Sequence, residues 1–533
     1  METAQSRHQE VSGNRKRRAT GRGLLVAAVL LAVLTAACSS PTTVTPSATA
    51  TANTAPVKGG TLTVGLGSDV RNFDPMSRAK QQFPMTFTLY DSLLRYDKQL
   101  QPQAGLATQW VPAANGSSIT LTLRDGVKYH NGKTMTADDV VKNFDKARDT
   151  TRCENLCAIT TPIADTKATD AKTVVITFKA PLPVAAMTDI LLAMPVIEPS
   201  SMADIATKGV GTGPFKFVSW VPRTSITFEA NKDYWGGGGP YLDNLVFKIF
   251  DDQDAMAAAL QTGALDAIVD LSAKSAAALK ADFNVMLGYP GTLTWELRLN
   301  AAKPPFDKKE VRQALQFAMN RQGIVDKILY GFSEVAVSPY GGGSPAADAS
   351  LVAKYPFNLD KAKQMLTAAG VTNASTSFML STGLPSGIDM AQIIQADWAK
   401  IGINVTLDPI DPTKYIDRLL KGDFPATMSQ SSNANKYPTG ITLNSIYRIV
   451  NNVGWTGGVP PKNYLDAINE LNSVQAPEAQ KASFKKLSDT LMDESWVLSI
   501  ARANTIFVMK KNVQGFDFTV DDLSLFEKVW IKK

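Results

Sequence analysis

The stretch IDMAQIIQADWAKIGINVTL, Ile388 to Leu407, sets the fold class. A helical pattern runs from Ile388 to Lys400, turns through Gly402 and continues into the extended run INVTL. The same alternation recurs on both sides. Asp360 to Gly370 reads as a helix, and Asp307 opens another with Val311, Leu315, Ala318 and Met319 on one face and Gly331 beyond its end. Thr136, followed by Ala137, Asp138 and Asp139, is a capping-box variant that starts a helix reaching about Ala147. Strand patterns interleave with these helices at Thr61–Leu66, Ser118–Arg124, Lys172–Lys179, Thr224–Glu229, Leu245–Phe250 and Leu293–Asn300. Mixed α/β domains follow.

The chain has 533 residues, beyond the roughly 250 to 300 at which one hydrophobic core stops growing, so two or three domains are expected. Hydrophobic residues make up 44% and charged ones 20%, a globular composition that excludes disordered and collagen-like classes. The formal charge is +6, but six Lys/Arg against two Glu lie in residues 1–37, which leaves +2 on the rest. Net charge therefore gives no case for nucleic-acid binding. There are two histidines, His8 in the basic N-terminal stretch and His130, so no His-rich metal site can be built and no cofactor is expected. His130 reads as a turn or packing residue.

Arg15, Lys16, Arg17, Arg18 and Arg22 precede an apolar run from Leu24 to Leu34 and the small residues Thr35, Ala36 and Ala37. That layout predicts a signal peptide over residues 1–37; the run is too short for the roughly 20 residues of a spanning helix. The word LTAAC resembles a bacterial lipobox and predicts lipidation at Cys38, with simple secretion as the alternative. Ser39 to Val57 carries neither charge nor aromatic, and residues 38–57 read as a flexible tether. Cys153 and Cys157 read as a short-loop disulfide in an oxidising compartment, with two free thiols on one helix face as the alternative. The glycine runs at Gly236–Pro240 and Gly341–Pro345 lack the lysine and the strand-before, helix-after context of a phosphate loop and read as turns.

Several words in series carry a resemblance: GGTLTVGL with NFDP, YDSLLRYD with LQPQAGLATQW, LRDGVKYHNGKTMTADDVVKNFD, GTGPFKFVSW, NKDYWGGGGPYLDNLVFKI, LRLNAAKPPFDKKEVRQALQFAMNRQGIVDKIL, DKAKQMLTAAG and IQADWAKIGINV. In this order, from Lys58 onward, they resemble the family 5 extracellular solute-binding proteins of ABC importers, which include dipeptide- and oligopeptide-binding proteins. The resemblance implies an α/β, two-lobed periplasmic-binding-protein fold (class II-like, with an inserted domain) that closes over a solute and docks on a permease. It places the sheet domain of the first lobe at residues 58–92, 210–292 and 505–533, the inserted domain at 93–209 and the second lobe at 293–504. Hinges are then expected near Pro290–Asn300 and Ser499–Thr505. The implied partners are a small polar solute, the permease and ATPase subunits and, through Cys38, the outer face of the membrane; no nucleic acid is expected, and the protein is expected to be a monomer.

Family members that take dipeptides hold the amino end with an aspartate in a second-lobe loop. Here that stretch is TMSQSSNANKYPTG, Thr427 to Gly440, without Asp or Glu. They hold the far carboxylate with an arginine just before the helix that starts near Ile388; here LSTGLPSGID has none. The loop instead offers Ser429, Gln430, Ser431, Ser432, Asn433 and Asn435, which suit an uncharged polar ligand: a sugar, a glycoside or a peptide backbone. Exposed-turn chemistry is the plain alternative for these residues. Trp295 is either a stacking floor or core, and Asn72, Phe73, Ser381 and Ser386 are second-rank contacts. Trp110, Trp220, Trp235, Trp398, Tyr90 and Tyr96 read as framework. No catalytic cluster stands out; a hidden carboxylate pair of a hydrolase and a solute-sensing receptor are the rival functions.

Overall fold

The computed structural model describes residues 55–77, 82–149, 156–289, 293–340, 344, 346–432, 462–474 and 476–533. Cys38, Cys153, Asn433 and Asn435 lie outside them, as do the expected signal peptide and most of the expected tether. Along the chain, β1 (Thr61–Leu66) is followed by β2 (Ala107–Pro112), β3 (Ser118–Leu123), β4 (Ile163–Ala168) and β5 (Thr173–Phe178). Next come β6 (Phe215–Val221), β7 (Ser225–Ala230), β8 (Asn244–Ile249), β9 (Ala267–Val269) and β10 (Asn284–Leu287). Then β11 (Leu293–Leu299), β12 (Ala374–Ser381), β13 (Ile403–Ile410), β14 (Ala426–Ser432) and β15 (Val497–Ala503) precede β16 (Ile506–Met509). The helices used below are α1 (Ala137–Arg148), α2 (Val184–Leu192), α3 (Lys309–Phe317), α4 (Arg321–Lys327), α5 (Leu359–Ala368), α6 (Pro385–Ala399), α7 (Lys462–Ser473) and α8 (Pro477–Glu494).

Among the described residues these strands form three main sheets. A seven-stranded sheet has the order β10-β16-β9-β1-β8-β7-β6, a five-stranded one β13-β12-β14-β11-β15 and a four-stranded antiparallel one β2-β3-β5-β4. The seven-stranded sheet thus combines a strand near residue 61, strands from 215 to 287 and a strand near 506. Its apolar residues, such as Leu62, Val64, Phe228 and Phe247, share one core with Ile119, Leu121, Val174 and Ile176 of the four-stranded sheet. A second core lies between the five-stranded sheet and α3, α4, α5 and α6, with Leu297, Leu315, Ile324, Leu366, Ile394 and Trp398. On the other face of that sheet, Met379 joins Tyr340, Tyr464, Leu487 and Trp496, which brings in α7 and α8.

Local chemistry explains the boundaries. Thr136 caps α1 in a full capping box with Asp139. Parallel β12 and β13 are joined by α6, the βαβ connection that parallel pairing requires. Gly402 makes the turn at φ +86°, where a Cβ would lie 2.3 Å from the Thr372 carbonyl oxygen. The single helix expected from Asp307 to Gly331 is two: α3 ends at Phe317, and Asn320 caps α4 by accepting from the Gly323 N–H at 3.0 Å. Likewise the cap of α5 is Asn358, whose side chain accepts from the Lys361 N–H at 2.8 Å.

Two chain crossings connect the seven- and five-stranded sheets, β10 to β11 and β15 to β16. By the pairing directions, both leave the same end of the five-stranded sheet: the start of β11 and the end of β15 lie beside the ends of β12 and β14. In the seven-stranded sheet they meet the end where β1, β9 and β10 finish and β16 begins.

Candidate functional site

The end of the five-stranded sheet from which both crossings leave gathers most of the polar residues expected to touch a solute. In open α/β sheets the crevice beyond the carboxyl ends of the strands is the usual place for a ligand. The stretch expected as a loop is a strand through Ser432. Backbone pairing with β11 sets Ser432 opposite Leu293, Ser431 opposite Thr294, Gln430 opposite Trp295 and Ser429 opposite Glu296. These hydroxyl and amide residues are weak strand formers, but β11 supplies their ladder, while β12 pairs with the start of β14 at Ala426 and Thr427. Ser429 is buried, with its Oγ 3.4 Å from the Gln430 carbonyl oxygen, and Gln430 is half-buried.

Trp295 shares its face with Leu293, Leu297 and Leu299, is 5% exposed and belongs to the second core. Its ring lies under the first turn of α6: a Cβ added at Gly387 would sit 3.2 Å from its Cζ3 and 3.1 Å from the Met428 Cγ. That position is packing in character. Ser381 ends β12, and its Oγ accepts from the Gly383 N–H at 3.3 Å; Ser386 is half-buried in the first turn of α6.

Asn72 and Phe73, in the loop after β1, are drawn into the framework. Asn72 Oδ1 accepts from the Asp74 N–H at 3.0 Å and from the buried Gln82 Nε2. Phe73 is 2% exposed, and its ring meets the edges of Phe217 and Trp220 at centroid distances of 5.0 and 5.5 Å. The Tyr90 hydroxyl donates to its carbonyl at 2.8 Å. The other aromatics are framework as expected: Trp220 Nε1 donates to Asp69, Trp235 Nε1 to Asp91 and the Tyr96 hydroxyl to Asp189. Trp398 is fully buried, and Trp110 packs half-buried against the first core. His130 is pinned from both ring nitrogens, with Nδ1 accepting from the Gly211 N–H at 3.3 Å and Nε2 donating to the Gly213 carbonyl at 3.0 Å. Burial pushes its pKa down to about 4, so the ring is neutral. Cys157 lies in a short helix, Leu156–Thr160.

The other face of β11 is polar and enclosed. Glu296 and Arg298 form a buried ion pair at 2.6 Å, and Arg312 meets Glu494 at 3.2 Å. Arg321, fully buried without a carboxylate partner among the described residues, is satisfied by acceptors at 2.6 to 2.9 Å: the Ser499 carbonyl, the Gln316 carbonyl and Gln316 Oε1. Arg502 differs. It stands on β15 across from Thr294, half-buried, and its Nη1 makes two long contacts, 3.4 Å to Thr294 Oγ1 and 3.4 Å to the Ser338 carbonyl. Burial lowers its pKa to about 10, with the Glu334 charge opposing, and it stays protonated at neutral pH. Sequence reading missed Arg502; the available signal was one cation in the otherwise apolar and small strand VLSIARA. Near this corner, Ala186 of α2 enters the cluster of Tyr340 and Tyr464, bringing a helix of the segment between β5 and β6 against the five-stranded sheet's partners.

Comparison with known proteins accords with this architecture. The family model of bacterial extracellular solute-binding proteins, family 5 Middle, matches residues 101–448, more than half of the chain. Di/tripeptide-binding protein 1 of Pseudomonas aeruginosa is 27% identical over 488 residues, covering 84% of this chain and 89% of that protein. The glutathione-binding protein GsiB of Salmonella paratyphi A is 26% identical, covering 87% and 94%. Among solved structures, the ABC transporter-associated periplasmic binding protein DppA from Helicobacter pylori, in complex with peptide STSA, superimposes with a TM-score of 0.78 at 23% identity, covering 90% of this chain and 99% of that one. The fold is thus the mixed α/β fold of periplasmic binding proteins, and these relatives are binding proteins by name. The chain belongs to the bacterial extracellular solute-binding proteins of family 5.

Proposed function

We propose that this chain captures a small polar, peptide-like solute between two lobes and hands it, chemically unchanged, to its permease. Membership of the family makes it the extracytoplasmic solute-binding component of an ABC importer. In our reading the lobes are residues 58–92, 210–292 and 505–533 with an inserted domain at 93–209, against residues 293–504. The observation that carries the proposal is the convergence of both chain crossings on one sheet end, together with Ser381, Gln430, Ser431 and Ser432. Crossings there let the halves rotate with few backbone changes, and closure excludes water, which strengthens each polar contact to a guest. The names of the relatives support peptides over sugars as the solute class.

The neutral residues of β14 suit the amides of a peptide backbone, each with donors and acceptors to exchange. Sequence supplies no acid between Thr427 and Gly440, so that stretch holds no carboxylate anchor for a ligand ammonium. Lipidation at Cys38 would keep the body at the outer face of the membrane, and a disulfide between Cys153 and Cys157 suits that compartment. Thermal-shift screening of peptides and glycosides is the test, with recovery of the unaltered compound as the control for turnover. A ligand at 100 times its Kd adds about 2.7 kcal/mol of stability. Stabilisation by glycosides but by no peptide, or conversion of the compound by repurified protein, would overturn the reading.

A further inference from the structure

Arg502 is a cation placed where its charge is poorly answered. A half-buried guanidinium has lost part of its hydration, and five N–H donors seek acceptors. The buried arginines of the same sheet region show how the fold satisfies this need: Arg298 and Arg312 have carboxylates, and Arg321 has three acceptors within 2.9 Å. Arg502 has two contacts at 3.4 Å, from one nitrogen; the Glu334 charge acts on it, but no carboxylate lies at ion-pair distance among the described residues. A second observation lies on the adjoining segment. Ser338, whose carbonyl takes Arg502, is followed two residues on by Tyr340, whose N–H donates to Ser338 Oγ at 3.1 Å. The hydroxyls of Tyr340 and Tyr464, both fully buried, have no hydrogen-bond partner among the described residues. Buried donors are nearly always paired, and a guanidinium with two long contacts from one nitrogen departs from that rule. By register Arg502 stands at the crossing end of the five-stranded sheet, opposite Thr294, which is itself opposite Ser431.

We propose that Arg502 receives a negatively charged group of the solute, a terminal or side-chain carboxylate, so that the preferred solutes are peptides carrying a net negative end. The proposal rests on the capture reading above and narrows it: the arginine absent before α6 is supplied from β15. A carboxylate there would accept from the guanidinium in the planar, two-bonded manner that lysine cannot reproduce.

The test uses the full chain in equilibrium dialysis against a casein hydrolysate of di- to pentapeptides, either untreated or with its carboxylates converted to methylamides. Retained peptides are quantified by mass spectrometry. Wild type should retain at least tenfold more from the untreated digest. Arg502→Met should erase that preference, and Arg502→Lys should restore part of it. Equal retention from both digests by wild type would overturn the role of Arg502 while leaving peptide capture standing, as would an undiminished preference in a folded Arg502→Met. No retention from either digest would overturn peptide capture, and this proposal with it. Should Arg502→Met fail to fold, the wild-type comparison and Arg502→Lys still decide.

Discussion

Replacing Trp295 by Ala separates a core indole from a ligand floor, and the structure gives the size of the effect. Trp295 is 5% exposed and packs among Leu293, Leu297, Met428 and the first turn of α6. A buried tryptophan covers about 150 to 250 Å², which at roughly 25 cal/mol/Å² is at most about 4 to 6 kcal/mol. Truncations of this kind cost about 3 to 5 kcal/mol because the cavity closes only in part. We expect that loss in urea melts of the ligand-free protein, read by circular dichroism. Gly387 supplies the partner half of a double-mutant cycle. A Cβ there meets Trp295 Cζ3 at 3.2 Å and Met428 Cγ at 3.1 Å, so Gly387→Ala alone should cost about 1 kcal/mol or more by overpacking. With the indole gone, one of the two tight neighbours disappears and the intrinsic helix preference for Ala, roughly 0.5 to 1 kcal/mol, should make the same change stabilising. A coupling of about 1 kcal/mol or more is therefore expected. Additive effects, or a Trp295→Ala loss below about 1 kcal/mol accompanied by lost solute binding, would refute the core placement.

His130 is neutral in the folded protein with a pKa near 4, below the 6.5 of an unfolded chain, so the unfolded state binds more protons between those values. Its stabilisation is complete above about pH 6.5 and falls as pH drops towards 4, by on the order of 3 kcal/mol; the fall in urea midpoint between pH 7 and 4.5 should be smaller in His130→Gln. Asn320→Ala removes the α4 cap and should cost about 1 kcal/mol in the same melts, with Asn320→Asp retaining most of the stability. Ala186→Arg inserts a long charged side chain where α2 meets the Tyr340 and Tyr464 cluster; it should raise the radius of gyration in X-ray scattering and weaken peptide binding about tenfold, and unchanged values of both would show that this contact does not govern closure.

How far the fold was legible follows from the range of the forces concerned. Alternation marked β1 and β3 because the apolar residues of each strand reach one buried face, Leu62 and Val64 in one, Ile119 and Leu121 in the other. The break at Asn320 was legible in principle: Asn before Arg-Gln-Gly is a cap, and the periodic residues from Val311 to Met319 concealed it only because α3 and α4 bury their apolar faces in the same core. The strand from Ala426 to Ser432 was not legible, since Ser and Gln carry turn preferences and the extended state is imposed by partners more than a hundred residues away in β11.

Arg502 lies furthest from local reading, and the reason bears on how such sites are found. An arginine in a strand is unremarkable until its counter-charge is sought, and the counter-charge is a property of the assembled fold. Arg298 finds its acid two residues away on its own strand, whereas Arg312 finds one in Glu494, with three strands of the five-stranded sheet between them in chain order. The family resemblance implies an anion-binding arginine just before α6, and LSTGLPSGID holds none. Yet β12 and β15 end at the same end of one sheet, with β14 and β11 between them. A cation projecting from either end can serve the same crevice, because a carboxylate is recognised by the position of the guanidinium and not by the strand that carries it. Absence of a charge from one stretch of sequence therefore excludes a fixed anchor at that stretch, and leaves the charge of the solute to be set by whichever strand end supplies the unanswered group.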